Sequence, residues 1–373
     1  MKNYRFFSVV VVGLAVWLAS ACIQPIRPVT KAPVANRCMP ADTVYCYPSP
    51  DQQWVAEVDV MNGSLVLRGA ASAEKTLFAP DSGIRSATWS PDSQQLISVE
   101  VNGSKPAQLW QVTLTHQQVS APRVVFTSTA ADNPEGLVLG DWSPNSRYLL
   151  FWTDPMMSAS ILADGTPLRI WDSQTGAVQL ITNEGPLGQA TAALLNARYH
   201  SWAPDSSALA VTLGGYRSAQ INKWLALYHP STGATTVVVS DTEQIPGIVA
   251  WAPQGDLIAY AAVPAAETSQ ENADLTTFDN PAIAGRRIYL LDPQTGKHWR
   301  LNDAEVFQDA PIWQQDGSVL YYVQRQEDQA VVMSAHVATK QFQQLPAAAQ
   351  PLSAVEFYYG QFDWKTLLKS IGQ

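Results

Sequence analysis

The stretch Thr88-Trp89-Ser90-Pro91-Asp92-Ser93 recurs in varied form along the chain, and no other feature restricts its folding as tightly. Plain copies are Asp141-Trp142-Ser143-Pro144-Asn145-Ser146, Ser201-Trp202-Ala203-Pro204-Asp205-Ser206 and Ala250-Trp251-Ala252-Pro253-Gln254-Gly255. Ile312-Trp313-Gln314-Gln315-Asp316-Gly317 lacks the Pro, and Tyr47-Pro48-Ser49-Pro50-Asp51-Gln52 lacks the Trp. In each copy an apolar run ends at the aromatic residue, a turn follows, and a second β-rich run begins. Pro pre-sets its own φ, and Ser, Asp, Asn and Gly are the residues that such turns favour. The indole at the strand end covers neighbouring sheet and leaves its N–H for solvent or a carbonyl.

A second tight turn follows in several repeats, as Asp172-Ser173-Gln174-Thr175-Gly176, His229-Pro230-Ser231-Thr232-Gly233 and Asp292-Pro293-Gln294-Thr295-Gly296. The leading Asp accepts bonds from backbone N–H groups, and the closing Gly supplies a left-handed conformation. Each repeat therefore reads as four strands, a to d, with tight turns at a–b and c–d. Four-stranded sheets repeated at roughly 40 to 60 residues are the pattern of propeller blades.

The Trp-Ser-Pro-Asp-Ser turn paired with a later Asp-x-x-Thr-Gly turn resembles the repeats of TolB-type propellers, relatives of the WD-repeat class, over residues 44–346. The resemblance implies an all-β fold, a six-bladed propeller with seven blades as the alternative. It leaves activity open, because related propellers serve as scaffolds, sensors and accessory domains of peptidases.

Residues 1–21 read as an export signal: Lys2 and Arg5, the apolar run 6–18, then Ala19-Ser20-Ala21. Cys22 resembles the lipid-acceptor cysteine of bacterial lipoproteins; ordinary cleavage after Ala21 leaves the same N-terminal residue. Residues 22–37, with Pro25, Pro28 and Pro33, form a tether or a plain tail. Cys38 and Cys46 are the remaining cysteines, and export makes a disulfide between them the natural assignment. The propeller is expected over 38–361. Beyond it, 352–359 reads as a spare strand, and Trp364, Leu367, Leu368 and Ile371 form the apolar stripe of a short C-terminal helix over 362–373.

The formal charge is −9, and a cleaved presequence takes Lys2 and Arg5 with it. Without a basic stripe to offset this, nucleic acid is excluded as a partner class. No nucleophile elbow, zinc-binding His pair or phosphate loop occurs in the sequence, so no cofactor or metal is expected.

Antiparallel geometry puts the d–a and b–c connections at the end opposite the tight turns. The long segments 128–139, 154–167, 183–196, 213–223 and 264–286 all fall there. Insertions gathered on one side of a repeat array mark a binding surface. On that side Trp152, Asp154, Arg198, Tyr199, His200, Tyr216 and Arg217 are expected near the channel mouth, the arginines for an acidic group and the rings for contact area. The reading is a monomeric, non-catalytic envelope module that binds a protein, peptide or glycan, held to a membrane by lipid on Cys22. The alternative is a hydrolase or lyase using Asp154 and His200 at the channel mouth.

Overall fold

The computed structural model describes residues 43–69, 74–103, 105–115, 118–129, 136–153, 166–181, 197–214, 222–265, 278, 280–358 and 361–371. These form successive antiparallel sheets, six of them carrying four strands in simple a-b-c-d order. The first runs from Val44 to Phe78, the second from Ile84 to Thr127 and the third from Leu137 to Leu180. The fourth spans His200 to Val239, the fifth Gln244 to Arg300 and the sixth Gln308 to Pro351. The second sheet also carries a two-residue strand, Gln118–Val119, on the end of its strand c.

The middle strands are apolar on both faces because sheets pack on both sides of them. Tyr148–Thr153 is buried throughout. Its Leu149 and Phe151 join a cluster with the second sheet, while Tyr148, Leu150 and Trp152 join one with the fourth. Alternate side chains of one strand therefore bond two interfaces, as the pleat requires. Further clusters join the first sheet to the second, the fourth to the fifth and the fifth to the sixth.

The turn motifs form as their chemistry dictates. Ser93 N–H donates to the Ser90 carbonyl at 2.9 Å, and the Asp92 carboxylate accepts from Gln94 N–H at 3.0 Å. The residue closing each first turn has positive φ: Gln52 (57°), Ser93 (61°), Ser146 (60°), Ser206 (63°), Gly255 (83°) and Gly317 (67°). In the second turn Gly176, Gly233 and Gly296 take φ of 75°, 71° and 71°. Indole donors reach carbonyls of the preceding sheet, Trp89 to Tyr47 at 2.8 Å and Trp313 to Ala250 at 3.1 Å.

Neighbouring first turns are also stitched together. Asp51 N–H donates to Ser93 Oγ, Asp92 N–H to Ser146 Oγ and Asn145 N–H to Ser206 Oγ, each at 3.0 Å. Gly255 has no hydroxyl to continue the series, and between the last two turns the Gln254 amide donates to the Asp316 carbonyl instead.

The chain departs from expectation after the sixth sheet. Of the expected spare strand over 352–359, the described residues 352–358 do not form another blade strand. Pro351 ends strand d, Leu352–Ala354 is a 3-10 turn, and Phe357–Tyr358 pairs only with Gln361–Phe362. Proline cannot donate to a sheet ladder, so the edge strand stops there. The expected C-terminal helix is one turn, Lys365–Leu368, continued as a 3-10 turn, Lys369–Ile371. Its Trp364, Leu367 and Leu368 pack with Phe307, Val323 and Val332 on the face of the sixth sheet that points away from the fifth. Cys46, in the first strand, is disulfide-bonded. Cys22 and Cys38 lie outside the described residues. Among the described residues no helix is long and apolar enough to cross a membrane.

Candidate functional site

The d–a and b–c connections leave from the end of the sheets opposite the stitched turns. In the third sheet Leu137 opens strand a opposite Thr153, the last residue of strand b, while Trp142 and Leu149 flank the tight turn. A cluster of buried charge sits at the connection end of sheets four to six. It is built from four separated stretches: Arg198 and Tyr199, in the 3-10 turn before the fourth sheet; Arg286, just before strand c of the fifth; Asp309, second residue of the sixth; and Trp364.

Asp309 is fully buried. Its Oδ2 accepts from Arg286 Nη1 at 2.8 Å and from the Trp364 indole at 3.0 Å. A buried carboxylate needs such partners, because desolvation otherwise costs several kcal/mol. The strand bulges between Asp309 and Ile312, and Ala310 inside the bulge has φ of 55°. A left-handed alanine stores roughly 1 kcal/mol or more of strain, and bulges of this kind re-aim side chains. Arg286 also lies over the rings of Phe307 (5.7 Å) and Phe362 (5.3 Å). Phe278, from the long b–c connection of the fifth sheet, stacks on Phe362 at 4.7 Å. Burial lowers the Arg198 pKa, and the charges of Asp309 and Asp363 act against that shift. Burial drives the Tyr199 phenol well above its ordinary range.

The residues expected at the channel mouth fall into two groups. Trp152 and His200 meet, with ring centroids 5.6 Å apart, and both are buried. His200 Nε2 lies 3.0 Å from Asp141 Oδ2, linking strand a of the third sheet to strand a of the fourth. Its side chain is 2% exposed while that of Asp141 is 58% exposed. Desolvation is the largest influence and raises the Asp141 pKa, but the hydrogen bond and the electrostatic attraction of His200 together outweigh it and the net shift is downward. Gly140 makes room for this pair, since a Cβ there would stand 2.9 Å from the Trp152 ring. Arg198 and Tyr199 belong instead to the Asp309 cluster. Asp154, Tyr216 and Arg217 lie outside the described residues.

Asp141, Arg286, Asp309 and the place of Trp364 were not selected from the sequence. One signal was present: Gln308-Asp309 opens a strand that is otherwise apolar up to Trp313. Lys223 is fully buried beside Gly214, and burial brings its ammonium down to about 7. Among the described residues no three His, Cys, Asp or Glu side chains are grouped to hold a metal.

No family model and no curated protein matches the sequence. Solved structures are similar at low identity. TolB from Acinetobacter baumannii is 16% identical with a TM-score of 0.38, over 83% of this chain and 65% of that one. An oligogalacturonate lyase in complex with manganese is 14% identical with a TM-score of 0.47, over 85% and 81%. Prolyl oligopeptidase B from Galerina marginata is 12% identical with a TM-score of 0.49, over 84% of this chain and 44% of that one. The chain thus spans about two thirds of the Acinetobacter TolB and under half of the peptidase. Sheet order, turn geometry and the packing of each sheet on the next make the fold all-β and of the propeller type.

Proposed function

We propose that this protein is a non-catalytic cell-envelope module that binds a protein, peptide or glycan at the end carrying its long connections. The observation that carries the reading is the asymmetry of the two ends. One is closed by short turns, the first four of them stitched to each other, while the long connections leave from the other, where a buried charged cluster sits. Rigid sheets presenting loops on one side suit recognition. Two polar side chains at this end are enclosed by protein: Asp309 Oδ2 is bonded to Arg286 and Trp364, and His200 is buried against Asp141. A lyase or hydrolase at this mouth needs a base open to substrate, and the enclosed imidazole is poorly placed to serve. Export, lipid on Cys22 and a Cys38–Cys46 disulfide complete the proposal and put the module at a membrane surface of the envelope.

Photo-crosslinking amino acids at Asp154 and Tyr216, compared with Gln174 and Gln294 in the tight turns, test the reading in intact cells. Crosslinks to one defined protein or glycan from the first pair alone are expected. Equal yields from both pairs, or none from the first, would sink it.

A further inference from the structure

We infer that residues 361–371 form a detachable strap that holds a built polar site closed. Asp309 has no exposed surface, yet Oδ2 makes both of its bonds and Oδ1 has no hydrogen-bond partner. The Tyr199 hydroxyl, on a side chain packed in the same cluster, is likewise buried without one. Each such atom carries a desolvation cost that no bond recovers. A segment serving only to cover the sixth sheet would be better matched by an apolar floor. The site instead offers more polar capacity than its occupant uses, and it maintains a strained Ala310 to aim the carboxylate.

The strap itself is held almost wholly by side chains. Its helix is a single turn whose N-cap residue, Trp364, makes no side-chain capping bond, and its strand is two residues long. Helices this short have no stability of their own. Once Phe362, Trp364, Leu367 and Leu368 leave the sheet, what remains is a few short-range bonds, such as Lys365 N–H to Asp363 Oδ1 at 2.8 Å, so the segment opens as a unit while the sheets stay folded. Opening withdraws an indole donor from Asp309. The open site therefore takes a ligand that returns it, a flat ring bearing an N–H donor. This is independent of the recognition reading, because opening is measurable with no partner present.

Native-state hydrogen exchange on the full chain tests opening directly. Backbone amides of the strap should exchange at least 100-fold faster than those of strands Val319–Gln326 and Gln329–His336. Trp364→Ala should accelerate the strap alone. Strap and strands exchanging at one common rate would overturn the inference. Occlusion is tested with a fluorescent peptide of residues 357–373 added to a chain that ends at residue 358. It should bind there at least 10-fold more tightly than to the intact chain, and Asp309→Asn should weaken it. Where the shortened chain does not fold, a protease site replacing residues 359–360 and cut after folding serves in its place. Failure of the labelled peptide to exchange into that folded, cut protein would overturn the inference as well.

Discussion

The two ends of the sheets are held by different means. At the tight-turn end each turn is closed by bonds within a few residues, and the first four turns are tied each to the next by one serine hydroxyl. At the other end, Asp309, Arg286, Tyr199 and Trp364 meet from four distant stretches, and burial makes their pairing strong but exacting. Local chemistry yields many small, independent bonds, whereas a long-range cluster concentrates its energy in a few irreplaceable ones.

Substitutions at the two ends should separate these regimes. The largest effect is expected from Asp309→Ala, which leaves Arg286 buried without its carboxylate and should cost roughly 3 to 5 kcal/mol in urea unfolding. A loss below about 1 kcal/mol would show that the cluster is not the concentrated element described.

Next is the ion pair that ties the two turns of the third sheet. Arg147 grips Asp172 through Nε at 3.0 Å and Nη2 at 2.7 Å. Burial raises the Asp172 pKa, but the guanidinium and the turn N–H groups outweigh that and bring it to about 2, below its ordinary 3.8. A depressed carboxylate stabilises above its unfolded pKa and loses that contribution as pH falls through the folded value. About 2 kcal/mol should therefore disappear between about pH 4 and pH 2. Arg147→Met should flatten that part of the stability profile; an unchanged slope would count against the pair.

Smaller still, Ser93→Ala, Ser146→Ala and Ser206→Ala should each cost about 1 kcal/mol. Their losses should add, since the sites share no partner. Strong coupling among the three would contradict the picture of independent bonds. The smallest effect is expected from Gly255→Ser. It restores the missing hydroxyl at a φ of 83°, with the nearest atom to the new Cβ, on Pro204, 3.8 Å away. Left-handed strain and the new bond should offset to within about 0.5 kcal/mol of the parent.

This contrast also explains what could be read from the chain beforehand. Trp89-Ser90-Pro91-Asp92-Ser93 and its copies carry their structure in neighbouring side chains, so the sheets and the end on which long connections lie followed from sequence alone. Arg198 and Tyr199 could be placed at the entry to the fourth sheet for the same reason. That Tyr199 packs with Trp364, while His200 turns to Asp141 and Trp152, depends on which sheets become neighbours and on a C-terminal segment folding back. The bulge at Ala310 left no mark either, because alanine is an unusual choice for positive φ. The expected strand over 352–359 misled because an apolar run beside Pro351 satisfies strand composition, while among the described residues only 357–358 pairs, and with 361–362 rather than with a blade.

The placement of the a–b and c–d turns at one end limits how such a molecule can grow. Residues added to a connection extend the opposite rim and leave the number of sheets unchanged, so a longer chain becomes taller on one side without gaining girth. A foreign peptide spliced into 266–277 would lengthen that connection while Phe278 and Ile283 keep their places against the sixth sheet.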